Sequence, residues 1–455
     1  MPDGRFPPGF FWGAATSAYQ IEGGVDLDGR SPSIWDTFCA RPGAVDNGDD
    51  GSVACDHRRR MPDDVALMAE LGLSAYRFSI AWPRVQPEGS GPVSQSGLDF
   101  YGRLIDDLLE RGIEPFVTLY HWDLPQALED AGGWPRRETA LRFADYAAAV
   151  AAALGDRVLH WSTINEPWCA SMLGYCSGVH APGVVDAGAA VAAAHHLLLA
   201  HGKGVDALRG LLPDDANIGI TLNPYPVVAA GSTDADRDIA RRVDGVANRL
   251  WYDALLRGTY PDDVLDDFKA VSDLSHIRDG DLAEISVPLD EIGINYYRRH
   301  HVRFRRGESS APPWSNWPGS PDVELVQPDA PVTAMGWAVE PDGLVEALLA
   351  LVNNYDAPAI YIHENGAAYD DRPGPDGRVD DDDRTAFLAR HVDACLQAVE
   401  AGVDLRGFFV WSLLDNFEWA HGYSRRFGLV RVEPDTLRRV PKSSALWFAA
   451  LARGS

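Results

Sequence analysis

Two glutamates far apart in the chain stand in surroundings that could do acid–base chemistry. Glu166 lies in Trp161-Ser-Thr-Ile-Asn-Glu-Pro-Trp168. Val158, Leu159 and Ile164 are apolar, and Trp161 and Thr163 suit a pleated, buried strand. Pro167 cannot donate to a ladder and pushes the residue before it into an extended conformation, which puts Glu166 at the carboxyl end of that strand. Walled by Trp161 and Trp168, its carboxyl is expected to be desolvated and its pKa raised, as a general acid near neutral pH requires. One such carboxylate is equally well a rim glutamate paired with an arginine. A partner stands in Ala359-Ile-Tyr-Ile-His-Glu-Asn-Gly366, another short apolar run, where Gly366 permits a sharp exit after Glu364. Two strand-end glutamates, each beside an asparagine, suggest glycoside hydrolysis with one acid and one nucleophile.

Positioning such a pair needs a scaffold that brings distant strand ends together. Strand signals fall at Phe10–Ala15, Ala75–Ile80, Glu114–Tyr120, His160–Asn165, Asn217–Asn223, Glu291–Tyr296, Ala359–His363 and Gly407–Ser412. Helical patterns separate them, at Asp63–Leu71, Leu98–Arg111, Glu138–Leu154, Ala187–Leu211, Asp236–Arg257, Gly343–Asn354 and Arg384–Ala401, with a last one from Ser443 to Ala452. Eight strands each followed by a helix describe an α/β protein of the (β/α)8 barrel class. The 46% hydrophobic content and 14 tryptophans allow a large core and an aromatic-lined cleft. No domain boundary is visible. The Pro-rich segment Arg306–Pro331 reads as a long βα loop over the cleft, and Asp380–Asp383 as N-terminal capping of the helix that follows.

Thr163-Ile-Asn-Glu-Pro-Trp168 and Ile362-His-Glu-Asn-Gly366 resemble the two catalytic signatures of the family 1 glycoside hydrolases, the β-glucosidase family. The resemblance runs from Phe10-Phe-Trp-Gly-Ala-Ala-Thr-Ser-Ala-Tyr-Gln-Ile-Glu22 to the tail helix around Trp447, and supports counting the weak Phe10–Ala15 signal as the first strand. It implies one (β/α)8 TIM barrel over residues 1–455, with long βα loops over the active-site face. It also implies a retaining β-glycosidase, foremost a β-glucosidase acting on short oligosaccharides and aryl or alkyl glucosides through a covalent glycosyl-enzyme. Glu364 would be the nucleophile and Glu166 the acid and then the base, with no cofactor and no metal. Retaining carboxyls lie about 5–5.5 Å apart. At ~5 Å and an effective dielectric of ~20 they repel by ~3 kcal/mol, a little over two pKa units, so only one is comfortably ionised. Arg77 matches the family position whose guanidinium contacts the nucleophile, which leaves the proton on Glu166.

The same resemblance assigns the sugar contacts. Asn165 would face the 2-hydroxyl, Tyr297 would steer the nucleophile, and Trp411-Ser-Leu-Leu-Asp-Asn-Phe-Glu418-Trp419 matches the glycone-binding motif. Gln20 and Glu418 can each take two hydroxyls, His121, Asn165 and Trp419 add donors or acceptors, and Trp411 offers a platform. Trp122, Asn223, Asn295 and Trp337 complete the expected set. These residues follow or end different strands, so they converge on the C-terminal face, where barrels place active sites. The nearest rival is a 6-phospho-β-glycosidase, which replaces the glutamate and tryptophan of the eighth-strand loop with phosphate-binding residues including a lysine; Glu418 would repel a phosphate. A non-catalytic sugar-binding relative would lose one of the two glutamates, and a thioglucosidase typically carries glutamine at the acid position.

A net charge of -27 argues against a nucleic-acid surface and disfavours anionic membranes and negatively charged substrates. The implied partner is a small carbohydrate; oligomeric state is not legible. Cys39, Cys55, Cys169, Cys176 and Cys395 form no CxxC pair, so free thiols in a reducing compartment are expected. The first residues carry no basic-then-apolar signal and no apolar run reaches the ~18 residues of a membrane span, which reads as cytoplasmic. His195 and His196 are adjacent, so on a helix they point about 100° apart and share a metal poorly; His57 and His201 have no partner in sequence. Three positions depart from the family pattern: His363, where threonine is usual and which alternation should turn away from substrate; Cys176, where glycine is usual; and the Arg58-Arg-Arg60 run.

Overall fold

The structure, a computed structural model, describes residues 6–305 and 315–454. Eight strands, Phe11–Ala15, Ala75–Ser79, Glu114–Tyr120, His160–Asn165, Asn217–Leu222, Glu291–Asn295, Ala359–Asn365 and Leu405–Trp411, close into a barrel in chain order. Every barrel pairing is parallel. The strands agree with the sequence reading to within two residues at each end. Their apolar runs work because both faces are buried. Alternate residues fill the lumen, where Phe116, Tyr361 and Phe409 pack together and Phe116 lies 3.9 Å from the His160 ring. The others face the helices, as where Thr163 Oγ1 meets His201 Nδ1 at 2.7 Å on helix Ala187–Arg209.

Alternation fails where the chemistry is expected. The fourth strand slips register against the fifth between Ser162 and Asn165, and the seventh slips between Ile362 and Glu364. Such bulges re-aim a side chain, and here they turn Asn165 and Glu364 to the barrel mouth. Two expectations change here. Trp161 does not wall Glu166; it faces outward and donates Nε1–H to Val158 O at 3.0 Å. Glu166 is not extended but left-handed, at φ 46°, with its N–H given to Thr221 O at 2.9 Å. His363 turns into the lumen beneath the mouth, with Nδ1 2.8 Å from Thr221 Oγ1. Gly293 on the sixth strand leaves it room, since a Cβ there would run into the imidazole.

The layers outside the barrel differ from the sequence reading in three places. The expected helix Asp236–Arg257 is two helices, Asp234–Asp244 and Leu250–Arg257, joined by a π segment at Gly245–Arg249. Asp381 does not cap helix Asp382–Glu400; its carboxylate pairs with buried Arg384 and accepts from Ser444 N at 2.8 Å. Asp382 and Asp383 do stand in the first turn. Residues 306–314 of the Pro-rich segment lie outside the described residues. The rest carries strand Val323–Leu325, which joins Val227–Ala229 and His300–Phe304 in a small three-stranded sheet.

Beyond the eighth strand, fully buried Lys442 donates Nζ to Asp371 at 2.6 Å and to Asp415 at 2.7 Å. Asp415 also accepts from Gly428 N at 3.0 Å. This knot ties the loop carrying Asn416 and Glu418 to the start of helix Ser443–Arg453. Among the described residues no helix is long and apolar enough to cross a membrane.

Gly293→Ala should therefore strain the lumen, and overpacking of this kind costs about 1–3 kcal/mol. A denaturant series on Gly293→Ala, His363→Thr and the double variant checks this. The double variant should recover most of the loss, because the shorter side chain vacates the space. Equal destabilisation of single and double variants would place the strain elsewhere.

Candidate active site

The mouth holds a cavity of about 240 Å3 bordered by Glu166, Glu364, Glu418 and a wall of aromatic rings. Arg77, 1% exposed, reaches up from the second strand. It donates Nη1–H to Glu364 Oε1 at 2.7 Å and Nη2–H to Asn165 Oδ1 at 2.6 Å. The other oxygen of Glu364 accepts from Tyr297 OH at 2.7 Å. Glu166 Oε1 accepts from Asn295 Nδ2 at 2.7 Å. Asn165 is the hub between them. Its Oδ1 also accepts from Asn295 at 3.1 Å, its Nδ2 meets His121 Nε2 at 3.2 Å, and its backbone oxygen accepts from Trp122 Nε1 at 2.9 Å. Glu166, Trp122 and Trp419 all have left-handed backbones. Non-glycine residues adopt this conformation at a cost and mostly at functional sites.

The three acids differ in what opposes their burial. Desolvation, reinforced by Glu364, pushes Glu166 up to about 8. Burial raises Glu364 too, but the Arg77 guanidinium and the Tyr297 hydroxyl oppose it. Glu364 is thus the carboxyl that ionises first. Glu418 is pushed up to about 8 by burial and by the other two carboxyls, and its Oε2 is buried without a partner.

Of the expected residues, Glu166, Glu364, His121, Trp122, Tyr297, Trp337, Trp411, Glu418 and Trp419 border the cavity. His121 stacks on Trp411 at 5.7 Å and on Trp419 at 6.0 Å, so one imidazole spaces two indoles. Arg77, Asn165 and Asn295 form the polar layer behind the carboxyls. Gln20 accepts from Ser17 Oγ at 2.6 Å and donates to Phe417 O at 2.7 Å, bracing the loop that carries Glu418. Asn223 stands further out and donates weakly to Cys169 Sγ at 3.4 Å and Tyr225 OH at 3.3 Å.

The outer cavity adds residues that the sequence reading did not name, Cys169, Leu173, Tyr225 and Arg298, and draws His180 and Trp317 from the loops 174–183 and 306–331, the second of them expected over the cleft. Trp168 was read only as a flank of Glu166. Cys169 opens a π segment, Cys169–Cys176, that follows Glu166, a deviation frequent at functional sites. His363 meets the same network from below, since Thr221 Oγ1 also lies 3.4 Å from Arg77 Nη2. Burial, Arg77 and His160 hold His363 well below the usual imidazole range, so it stays neutral beside the guanidinium. Three other histidines are spent on structure: His57 on Asp64 at 2.7 Å, His195 on Asp281 at 2.9 Å and His196 on Trp134 O at 3.1 Å. Among the described residues, no group of three or more His, Cys, Asp or Glu is placed to hold a metal ion.

This arrangement has counterparts. The sequence profile described as glycosyl hydrolase family 1 matches residues 3–455. Thermostable beta-glucosidase B of Thermobispora bispora is 50% identical over 99% of this chain and 91% of its own. A bifunctional beta-D-glucosidase/beta-D-fucosidase of Bifidobacterium breve is 47% identical over 97% of each. The family 1 β-glucosidase of Thermotoga maritima, solved in complex with isofagomine lactam, superposes with a TM-score of 0.93 at 44% identity, covering 99% of this chain and 98% of that one. Whole-length matches at these identities, on a closed eight-stranded barrel, leave one assignment: this chain belongs to glycosyl hydrolase family 1.

Proposed function

We propose that this protein is a retaining β-glucosidase that removes terminal β-D-glucosyl residues from short oligosaccharides and from aryl or alkyl glucosides. One observation carries the reading. Two buried carboxyls border one cavity, but Glu166 accepts from the Asn295 amide whereas only Glu364 accepts from a guanidinium and a phenol. Asn295, Asn165 and Arg77 link the two in one chain of hydrogen bonds, an arrangement that fits the about 5–5.5 Å spacing of retaining enzymes.

In this mechanism Glu364, ionised, attacks the anomeric carbon while Glu166 passes its proton to the leaving oxygen. Glu166, now a carboxylate, takes a proton from water as that water releases the sugar from Glu364. Asn165, held by Arg77 and Asn295, presents its amide to the 2-hydroxyl, where a bond strengthens in the transition state. Glu418 takes hydroxyls at carbons 4 and 6, with Trp411 beneath the ring. The 455 residues act as one catalytic barrel. Five buried, unpaired thiols support a reducing, cytoplasmic setting.

The nucleophile is tested by Glu364→Ala. It should keep its fold and lose nearly all turnover, and azide should restore cleavage of an activated aryl glucoside with inverted stereochemistry. Substantial unaided activity would remove Glu364 from this role.

The pH profile of kcat/KM tests the acid. Glu166 must be protonated, so the rate should fall as pH rises past about 8; Glu364 must be ionised, so it should fall again on the acid side. Glu166→Ala should cost of order 10²–10⁴-fold on an alkyl glucoside and far less on a dinitrophenyl glucoside. On the latter its alkaline limb should vanish. A limb that persists would belong to Glu418, which is also pushed up to about 8.

Glycone choice is tested by Glu418→Ala. Removing the carboxyl leaves buried sugar hydroxyls unpaired, at about 1–3 kcal/mol, roughly ten- to a hundredfold in kcat/KM on glucosides. Fucosides lack the 6-hydroxyl and should lose less. A wild type preferring 6-phosphoglucosides would install the phospho-glycosidase in place of this reading.

A further inference from the structure

Arg298 directly follows the tyrosine that holds Glu364 and borders the same cavity. Its guanidinium lies 5.1 Å from the centre of the Trp337 ring. The side chain is half-buried, and among the described residues no carboxylate pairs with it. Desolvation is the largest influence on its charge, opposed only by the Tyr225 hydroxyl. A guanidinium carries five N–H donors in a rigid fork. Holding that fork in a partly dry wall without an anion leaves its donors to whatever enters the cavity.

Its position says which part of a substrate it meets. His300, two residues on from Arg298, stacks on Tyr225 at 4.0 Å, and Tyr225 packs against Trp168, two residues on from Glu166, at 5.6 Å. Arg298 therefore lies on the Glu166 side of the cavity. Because Glu166 protonates the departing oxygen, the leaving group occupies this side. Two buried polar atoms here, Asn316 Oδ1 and His300 Nε2, have no partner among the described residues. Trp317, 5.5 Å from Trp168 and from His300, closes the wall. The outer pocket thus combines indole faces with a cation lacking an anion.

We propose that this pocket selects glucosides whose leaving group is a phenol carrying a carboxylate, the ring lying against the indoles and the carboxylate pairing with Arg298. The inference rests on the β-glucosidase reading and on Glu166 as the acid. A neutral leaving group would leave the guanidinium unpaired, whereas a carboxylate matches its fork with two parallel hydrogen bonds. The chain's charge of -27 does not forbid this. Exposed charges are screened beyond about 8 Å at physiological salt, while a partly buried contact is screened much less.

The test compares 3- and 4-carboxyphenyl β-D-glucosides with their methyl esters, on the wild type, Arg298→Met and Arg298→Lys. The ester-bearing phenols are the better leaving groups, so preference for an acid runs against intrinsic reactivity. The wild type should favour at least one acid over its ester, with the difference in KM, and added salt should narrow it. Arg298→Met, which keeps a stem over Trp337, should lose roughly ten- to a hundredfold on that acid. Its ester rates should change less than about threefold, which also reports an intact fold, and Arg298→Lys should retain part of the preference. Wild type that cleaves esters without favouring either acid, or equal losses on acid and ester in Arg298→Met, would overturn the role of Arg298 alone. Failure of the wild type to cleave any of the four would overturn the β-glucosidase reading beneath it.

Discussion

The pairing of Arg77 with Glu364 is the interaction on which the rest of the mouth depends. Both side chains are almost wholly buried, and removing one partner of such a pair leaves an uncompensated charge costing about 3–5 kcal/mol. Three carboxyls share this space, which could not hold three negative charges. It holds one, because Glu166 and Glu418 are pushed up to about 8 and stay protonated at neutral pH. The anion and the guanidinium then cancel. The neutral amides of Asn165 and Asn295 order the proton-bearing acid without adding charge.

The barrel supplies the rigidity this balance needs. Arg77 rises from the second strand, Asn165 ends the fourth, Asn295 the sixth and Glu364 the seventh, so no two of these groups share a strand. Close packing of the lumen fixes their heights. Phe116 lies against His160, and His363 occupies the space that Gly293 leaves open. The eighth-strand loop has no such support from the lumen, and the buried Lys442 knot holds it from behind.

What the sequence made legible follows the same division. Barrel strands are apolar runs bounded by turn residues, so their positions could be read closely. Strict alternation could not foresee the slips at Ser162–Asn165 and Ile362–Glu364, and so left His363 facing away rather than into the lumen; Trp161, five residues before Glu166, falls on the opposite face by alternation itself. The carboxyl pair and its polar layer were legible through motif and resemblance. The outer wall was legible only as loops over the cleft and not by residue, because Leu173, His180, Arg298 and Trp317 come from a π segment and from loops that carry no period. Arg298 in particular sits in Tyr-Tyr-Arg-Arg, where nothing marks one arginine as buried and the next as paired to Glu346 on the surface.

The fit between Gly293 and His363 gives this barrel a history with a direction. A methyl group at position 293 has nowhere to go while the imidazole is present, so side chains there become accessible only after position 363 has shrunk. The reverse exchange, a smaller residue at 363 over a bare glycine, opens a hollow but forces no collision. Two positions on neighbouring strands, each beside the chemistry and neither touching the sugar, thus form a one-way gate on how the lumen beneath the site can drift.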